Sequence, residues 1–221
     1  MRTAIVIPAH NEAKTIGDLV KTIIELGHEV IVVDDGSIDD TAILAKTQGA
    51  KVLSTHQKSG KGNALRLAFS QALQQNYDAV ITLDGDGQHS PKDIGHFLEC
   101  HQKARADIVN GDRMHNPSGM PWLRRMTNRF MSWMISLVCH QQVSDTQCGF
   151  RLITTQVLKS IKLQCNDFEI ETEILIKASK KGFRIASVPI QTIYRDEVSK
   201  IKPVRDTLRF IRYISAEIFK Q

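Results

Sequence analysis

No stretch of this 221-residue chain reaches the roughly 18 to 20 consecutive apolar residues that a membrane-spanning helix needs. The nearest contender, Phe130 to Cys139, is short and carries Ser132 and Ser136. If such a chain touches a membrane, it is expected to lie on it. No secretory leader is expected either. Met1-Arg2 runs straight into Thr3-Ala4-Ile5-Val6-Ile7-Pro8, an apolar run too brief for a leader's core and followed by no cleavage region, which predicts a cytoplasmic protein. Cysteine is sparse. Cys100, Cys139, Cys148 and Cys165 form no Cys-x-x-Cys pair, so no zinc site or disulfide framework is indicated, and free thiols are expected. Repeats, low-complexity tracts and linkers are absent. The basic residues are dispersed and no nucleic-acid reader motif appears, so no nucleic-acid partner is predicted.

Two common nucleotide fingerprints are also lacking. The first apolar run is followed by Pro8 and Asn11 instead of a Gly-x-Gly-x-x-Gly turn. Ser59-Gly60-Lys61-Gly62-Asn63 lacks the earlier glycine and the hydroxyl after lysine that a P-loop requires. Its glycines leave two readings open: backbone approach to a nucleotide, or a flexible start to a helix. What the chain does have is the balance of a soluble globular protein, 42% hydrophobic and 24% charged, at a length suited to one domain with an excursion. A net charge of +5 favours an anionic partner, without choosing among nucleotide phosphates, nucleic acid and an acidic lipid surface.

Hydrophobic periodicity divides the first half into alternating strands and helices. Ala4 to Ile7, Val30 to Val33, Lys51 to Leu53 and Ala79 to Leu83 read as strands; Asn11 to Leu26, Asp39 to Thr47 and Asn63 to Gln75 read as helices. Ser90-Pro91-Lys92-Asp93 reads as a further helix start, and Ala106 to Gly111 as a further strand. Repeated units of this kind predict a mostly parallel twisted sheet with helices on both faces. In such sheets ligands bind beyond the carboxyl ends of the strands. Three of those ends carry polar clusters: Pro8-Ala9-His10-Asn11-Glu12, Asp34-Asp35-Gly36-Ser37 and Asp84-Gly85-Asp86. Folding alone does not require carboxylates to converge there. Asp84 and Asp86, one residue apart on a glycine turn, can face one hard divalent cation, Mg²⁺ or Mn²⁺, of the kind that bridges substrate phosphates.

Past the Asp112 to Gly119 loop the pattern changes. Met120 to Gln141 mixes Trp122, Leu123, Met126, Phe130, Met131, Trp133, Met134, Ile135, Leu137 and Val138 with Arg124, Arg125 and Arg129. This suits one or two helices lying in a lipid headgroup region, or a helix packed on the domain with its arginines in solvent. Asp145 to Ile153 reads as a loop entering a strand, Phe168 to Lys180 as a helix whose Glu169, Glu171 and Glu173 suit its dipole, and Phe183 to Val188 as a strand. Ile190 to Ile193 can continue that strand as an edge, and Pro203 to Gln221 is a basic amphipathic helix.

Taken in order, Ile7-Pro8-Ala9-His10-Asn11-Glu12, Val32-Val33-Asp34-Asp35-Gly36-Ser37, Gly60-Lys61-Gly62-Asn63-Ala64, Asp84-Gly85-Asp86-Gly87-Gln88-His89, Gly111-Asp112-Arg113, Asp145-Thr146-Gln147-Cys148-Gly149-Phe150-Arg151 and Val198-Ser199-Lys200 make the chain resemble family 2 glycosyltransferases of the dolichol- or polyprenyl-phosphate mannose synthase type. The resemblance covers nearly the whole length and implies the Rossmann-like GT-A fold with a nucleotide-sugar donor. It implies one domain over 1–221, with the donor held by 1–111 and the acceptor and membrane faced by 112–221. Pro8, Ala9, Asn11, Glu12, Asp35, Gly36 and Lys61 then belong to the donor pocket. Asp84, Asp86 and Gln88 become the metal residues, with Asp86 in direct contact and Asp84 acting through the ribose or water. Arg113, Arg151, Arg195 and Lys200 become candidates for donor or acceptor phosphates, with Asp86, Arg113 and Arg151 catalytic. His10 stands where the family commonly has tyrosine. The chain ends where many relatives continue into membrane spans, which implies a peripheral enzyme or a separate membrane subunit.

The implied reaction is inverting, metal-dependent hexose transfer to a lipid phosphate at the cytoplasmic membrane face. Charge on the leaving diphosphate must be neutralised by metal and cations. An acceptor that is already an anion needs little general-base help. A hydroxyl acceptor, with Glu171 as base, is the alternative enzyme; a non-catalytic nucleotide-sugar-binding module is the alternative of a different kind.

Overall fold

The computed structural model describes residues 1–117 and 119–193. In chain order its elements are β1 (Thr3–Ala9), α1 (Ile16–Glu25), β2 (Glu29–Asp34), α2 (Thr41–Thr47), β3 (Lys51–Ser54), α3 (Lys61–Gln74) and β4 (Ala79–Thr82). A short 3-10 turn (Pro91–Asp93) leads into α4 (Ile94–Ala104), followed by β5 (Ile108–Asp112), α5 (Trp122–Cys139), β6 (Arg151–Thr154), α6 (Thr155–Ser160), α7 (Glu169–Lys180) and β7 (Ile185–Pro189).

The strands form one seven-stranded sheet in the order β3-β2-β1-β4-β6-β5-β7. Side chains along each strand alternate between two cores, as the pleat requires. Ala4, Val6, Ile31, Val33 and Val80 face the core under α3, α5, α6 and α7; Ile5, Ile7, Val30, Val32 and Ile81 face the core under α1, α2 and α4. Helices therefore cover both faces. In α1, Ile16, Leu19, Val20 and Ile23 make the buried stripe, and Gly27, at a positive φ of 84°, carries the chain out of it.

The sheet departs from full parallelism at one strand: β6 runs antiparallel to both β4 and β5. The reversal has a consequence for the site. It places the start of β6 at the end of β4, with Arg151 opposite Thr82, so the Asp145–Phe150 loop reaches the same edge as Asp84 and Asp86. The order also reverses beside β1, whose neighbours are β2 and β4. That is the switch point where such sheets leave a crevice.

Other boundaries differ from expectation for local reasons. Asn11 to Thr15 form turns before α1, with Asn11 at a positive φ of 56°. The segment Ile190 to Ile193 does not prolong β7; Thr192 makes an isolated bridge to His89, and Ile193 N donates to Gln88 O. Helix α6 had no expectation, because six residues are too few for periodicity to show. Arg195, Lys200 and the expected helix from Pro203 to Gln221 lie outside the described residues.

Candidate active site at the strand ends

The end of β1 and the end of β2 are tied by their own side chains. Asn11 N donates to Ser37 Oγ, Ile38 N donates to Asn11 Oδ1, and Glu12 N donates to Thr41 Oγ1. Asp35, 4% exposed, anchors the 55–60 loop: its carboxylate accepts from Ser59 N at 2.7 Å, Ser59 Oγ at 2.6 Å, Gly60 N at 2.9 Å and Thr55 Oγ1 at 3.3 Å. Burial would raise this carboxyl, but those donors outweigh it and hold it below the usual carboxylate range. Gly36 sits at a φ of 65°, and a Cβ there would meet the main chain of Gln57 and Lys58 at 2.6 Å. Pro8 and Ala9 end β1 beside this loop, with Asp35 N donating to Ala9 O. The donor-pocket residues predicted from β1 and β2 thus meet around one crevice.

Lys61 joins them from α3. Its Nζ lies 2.6 Å from Asp84 Oδ1 and 2.6 Å from Glu171 Oε1. The glycines on either side make that reach possible. Gly62 N donates to Asn166 O, and a Cβ on Gly62 would stand 2.4 Å from Cys165 O, so only glycine lets the start of α3 lie against the 165–167 segment. These glycines approach the protein's own main chain, and neither of the two open readings anticipated that. Burial would lower the Lys61 ammonium, yet Asp84 and Glu171 together raise it, so it stays charged.

Asp84 is wedged on its other side by Gly149, where a Cβ would meet Asp84 Oδ2 at 2.5 Å. Burial would raise its carboxyl, but Lys61 and more distant cations pull it down. Asp86 behaves oppositely: burial, with Asp84 and Glu12 nearby, pushes it up to about 6, while Gln88 N donates to its Oδ1. The turn is therefore short of positive charge. His89, 4% exposed, does not supply it, because burial pushes its imidazole down to about 4; its Nδ1 has no hydrogen-bond partner among the described residues. Among those residues no three His, Cys, Asp or Glu side chains form a ready-made metal cage. A small divalent cation does not need one, since it binds through one or two carboxylates, water and substrate phosphates. Asp84, Asp86 and Gln88 fit that donor set, and the unbalanced charge at Asp86 suits it.

The two predicted arginines are placed differently from the crevice lysine. Arg113 forks onto Asp145, Nε to Oδ2 at 2.7 Å and Nη2 to Oδ1 at 3.0 Å, with Asn128 Nδ2 donating to the same carboxylate. Arg151, 1% exposed, donates to the main-chain carbonyls of Cys148, Thr146 and Glu171. Both guanidinium groups are committed to the protein itself. Sequence reasoning also read Glu171 and Glu173 as dipole charges. In the fold, Glu171 pairs with Lys61, while Glu173, fully buried, accepts from Gln164 N, Cys165 N and Lys177 Nζ.

Two strands along the same edge, the end of β5 and α5 enclose a cavity of about 550 Å³ lined by Asp112, Met114, Arg125, Arg129, Trp133 and Val143. Helix α5 is a single helix that turns Asn128, Met131, Ser132, Ile135 and Cys139 inward. Outward it shows Trp122, Leu123, Met126, Phe130, Trp133 and Leu137, each 47% to 72% exposed, together with Arg125 and Arg129. Its inner face packs on the core and Arg125 and Arg129 lie in solvent, as expected of a helix packed on the domain, and the same outer face also carries exposed apolar side chains. Among the described residues no helix is long and apolar enough to cross a membrane.

A mixed seven-stranded sheet between helices, with carboxylates gathered at its switch point, places the protein in the Rossmann-like GT-A class. The sequence profile of Glycosyl transferase family 2 matches residues 4–162. The chain is 31% identical over 215 residues to a UDP-N-acetylglucosamine--dolichyl-phosphate N-acetylglucosaminyltransferase from Methanococcus voltae, covering 87% of this chain and 86% of that one. It is 29% identical over 212 residues to an undecaprenyl-phosphate mannosyltransferase from Micrococcus luteus, covering 89% and 85%. In structure it is similar to glucosyl-3-phosphoglycerate synthase from Mycobacterium tuberculosis, described in complex with Mn²⁺, uridine diphosphate and phosphoglyceric acid, with a TM-score of 0.73, 21% identity and coverage of 99% and 77%. The chain belongs to glycosyl transferase family 2 and is a glycosyltransferase.

Proposed function

We propose that this enzyme transfers a hexose, with inversion, from a nucleotide diphosphate sugar to a polyprenyl phosphate while resting on the cytoplasmic face of a membrane. The observation that carries the acceptor is the cavity beside α5: Arg125 and Arg129 stand at its wall with Trp133, Met114 and Val143, and its helix continues into the exposed apolar stripe. Paired arginines suit a phosphate, and an apolar wall leading to an apolar surface suits the isoprenoid chain behind it. Relatives whose names specify dolichyl or undecaprenyl phosphate acceptors support the same reading.

The donor is assigned to the crevice of residues 1–111, the acceptor to 112–221. Pro8, Ala9, Asn11, Glu12, Asp35 and Gly36 shape the nucleoside end, and Lys61 adds positive charge toward the diphosphate. Asp86, with Asp84 and Gln88, would hold Mg²⁺ or Mn²⁺, which neutralises charge on the departing diphosphate when bound. An acceptor phosphate oxygen forms the new bond to the anomeric carbon as the bond to the donor's β-phosphate oxygen breaks, releasing a nucleoside diphosphate. The acceptor enters as an anion, so no side chain need remove a proton. Glu171, paired with Lys61, accordingly has no base role in this scheme. Arg113 and Arg151 act as positioning residues for the Asp145–Arg151 loop at the Asp84 edge. A separate membrane subunit is compatible with the apolar outer face of α5.

Arg125→Ala with Arg129→Ala tests the acceptor assignment. The pair is expected to raise the acceptor KM at least about tenfold with the donor KM unchanged. An unchanged acceptor KM would remove the cavity from the reaction.

A further inference from the structure

Lys61 serves two carboxylates at once, buried Glu171 and half-buried Asp84. The Lys61, Asp84 and Glu171 side chains are 15%, 27% and 10% exposed, and both contacts to Nζ are 2.6 Å. The proposed reaction gives Asp84 a place near the cation but gives Glu171 none. Yet Glu171 is held firmly. Arg151 Nη1 donates to its main-chain carbonyl, and Asn166 O, just before α7, accepts from Gly62 N and Asn63 N at the start of α3. The missing Cβ of Gly62 leaves α3 and the 165–167 segment no slack. Glu171 therefore competes with Asp84 for one ammonium at fixed range.

We propose that Glu171 is a positioning residue which, by sharing Lys61 with Asp84, keeps the Asp84–Asp86 turn negative and so sets how strongly that turn draws its divalent cation. The inference rests on the reading that Asp86 and Asp84 hold the cation. Among the described residues the charges around the turn are Asp84, Asp86, Glu12 and Glu171 against Lys61, with Arg113 cancelled by Asp145. Without Glu171's charge, Lys61 belongs to Asp84 alone and neutralises it. Without Lys61's charge, both carboxylates add their full attraction. Even screened as in bulk water, one unit charge about 6 Å from a dication changes its affinity by about tenfold.

The test is Mn²⁺ titration of the full chain without nucleotide, read by electron paramagnetic resonance, beside thermal unfolding. Glu171→Gln is expected to weaken Mn²⁺ binding about tenfold, Lys61→Met to tighten it about tenfold, and the double variant to fall near wild type. Lys61→Arg, which keeps the charge, is expected to match wild type. A purely structural role would lower Tm while leaving Mn²⁺ affinity unmoved, and that result overturns the proposal, as does a shift of the two single variants in the same direction. If Lys61→Met does not fold, Glu171→Gln decides alone, and unchanged affinity there overturns it. Asp86→Asn separates the two claims. If it binds Mn²⁺ as wild type does, the metal assignment itself fails. If it loses Mn²⁺ while Glu171→Gln and Lys61→Met bind normally, only the present inference fails.

Discussion

Asp145 opens the loop into β6, and its environment makes it structural. Its buried carboxylate accepts from Arg113, Asn128 Nδ2 and Gln147 N, joining β5, α5 and the loop into β6. Asp145→Asn leaves Arg113 charged and unpaired and is expected to cost about 3–5 kcal/mol in chemical denaturation. Burial would raise this carboxyl above its ordinary 3.8, but Arg113 and Asn128 hold it below. Its folded pKa is thus depressed, so its stability is fully present above the unfolded value and is lost as pH falls through the folded one. Stability profiles should show Asp145→Asn with a shallower loss below about pH 4 than wild type. Gly62 makes the same point without charge. Gly62→Ala would press a Cβ to 2.4 Å from Cys165 O, and a destabilisation of at least about 1–3 kcal/mol is expected from thermal unfolding. The identity of Gly62 was legible in the sequence, but its cause was not, because the contacting carbonyl is over a hundred residues away in the chain.

At the scale of elements, strands and helices with full periodicity were legible. Ile16, Leu19, Val20 and Ile23 write α1, and alternating faces write β1 and β2. What periodicity could not report was direction. The antiparallel β6 follows from the excursion through α5, and nothing in Arg151-Leu152-Ile153-Thr154 marks its sense. Helix α5 left two readings open for a different reason: its inward face includes Asn128 and Ser132, bonded to Asp145 and Thr146, so polar residues lie inside and tryptophans outside. Because the outer residues are exposed, replacing Trp122, Phe130 and Trp133 together by serine should change Tm by less than about 2 °C. The same variant should lose most of its sedimentation with anionic vesicles. Retention equal to wild type would mean that the outer face of α5 meets something other than lipid.

For the molecule as a whole, the gathering of polar side chains could be foreseen because they sit at the ends of β1, β2 and β4, parallel neighbours in the sheet, a local pattern repeated three times along the chain. The Lys61–Glu171 pair could not, since the residues are 110 positions apart and meet only when α7 packs beside α3. The arginines show the converse. Arg113 and Arg151 stand in the sequence like phosphate ligands, and the fold commits both to its own acceptors, while Arg125 and Arg129 line the open cavity. The reaction proposed for the molecule is metal-dependent sugar transfer to a lipid phosphate through Asp86. It is tested most directly by incubating the purified chain with polyprenyl phosphate and a panel of radiolabelled nucleotide sugars, with Mn²⁺ or with chelator, and counting label in the organic phase. One donor is expected to yield organic-extractable label with Mn²⁺, none with chelator, and none with a folded Asp86→Ala variant. Transfer that survives chelation, an Asp86→Ala enzyme that still turns over, or label that never enters the organic phase with any donor would contradict it.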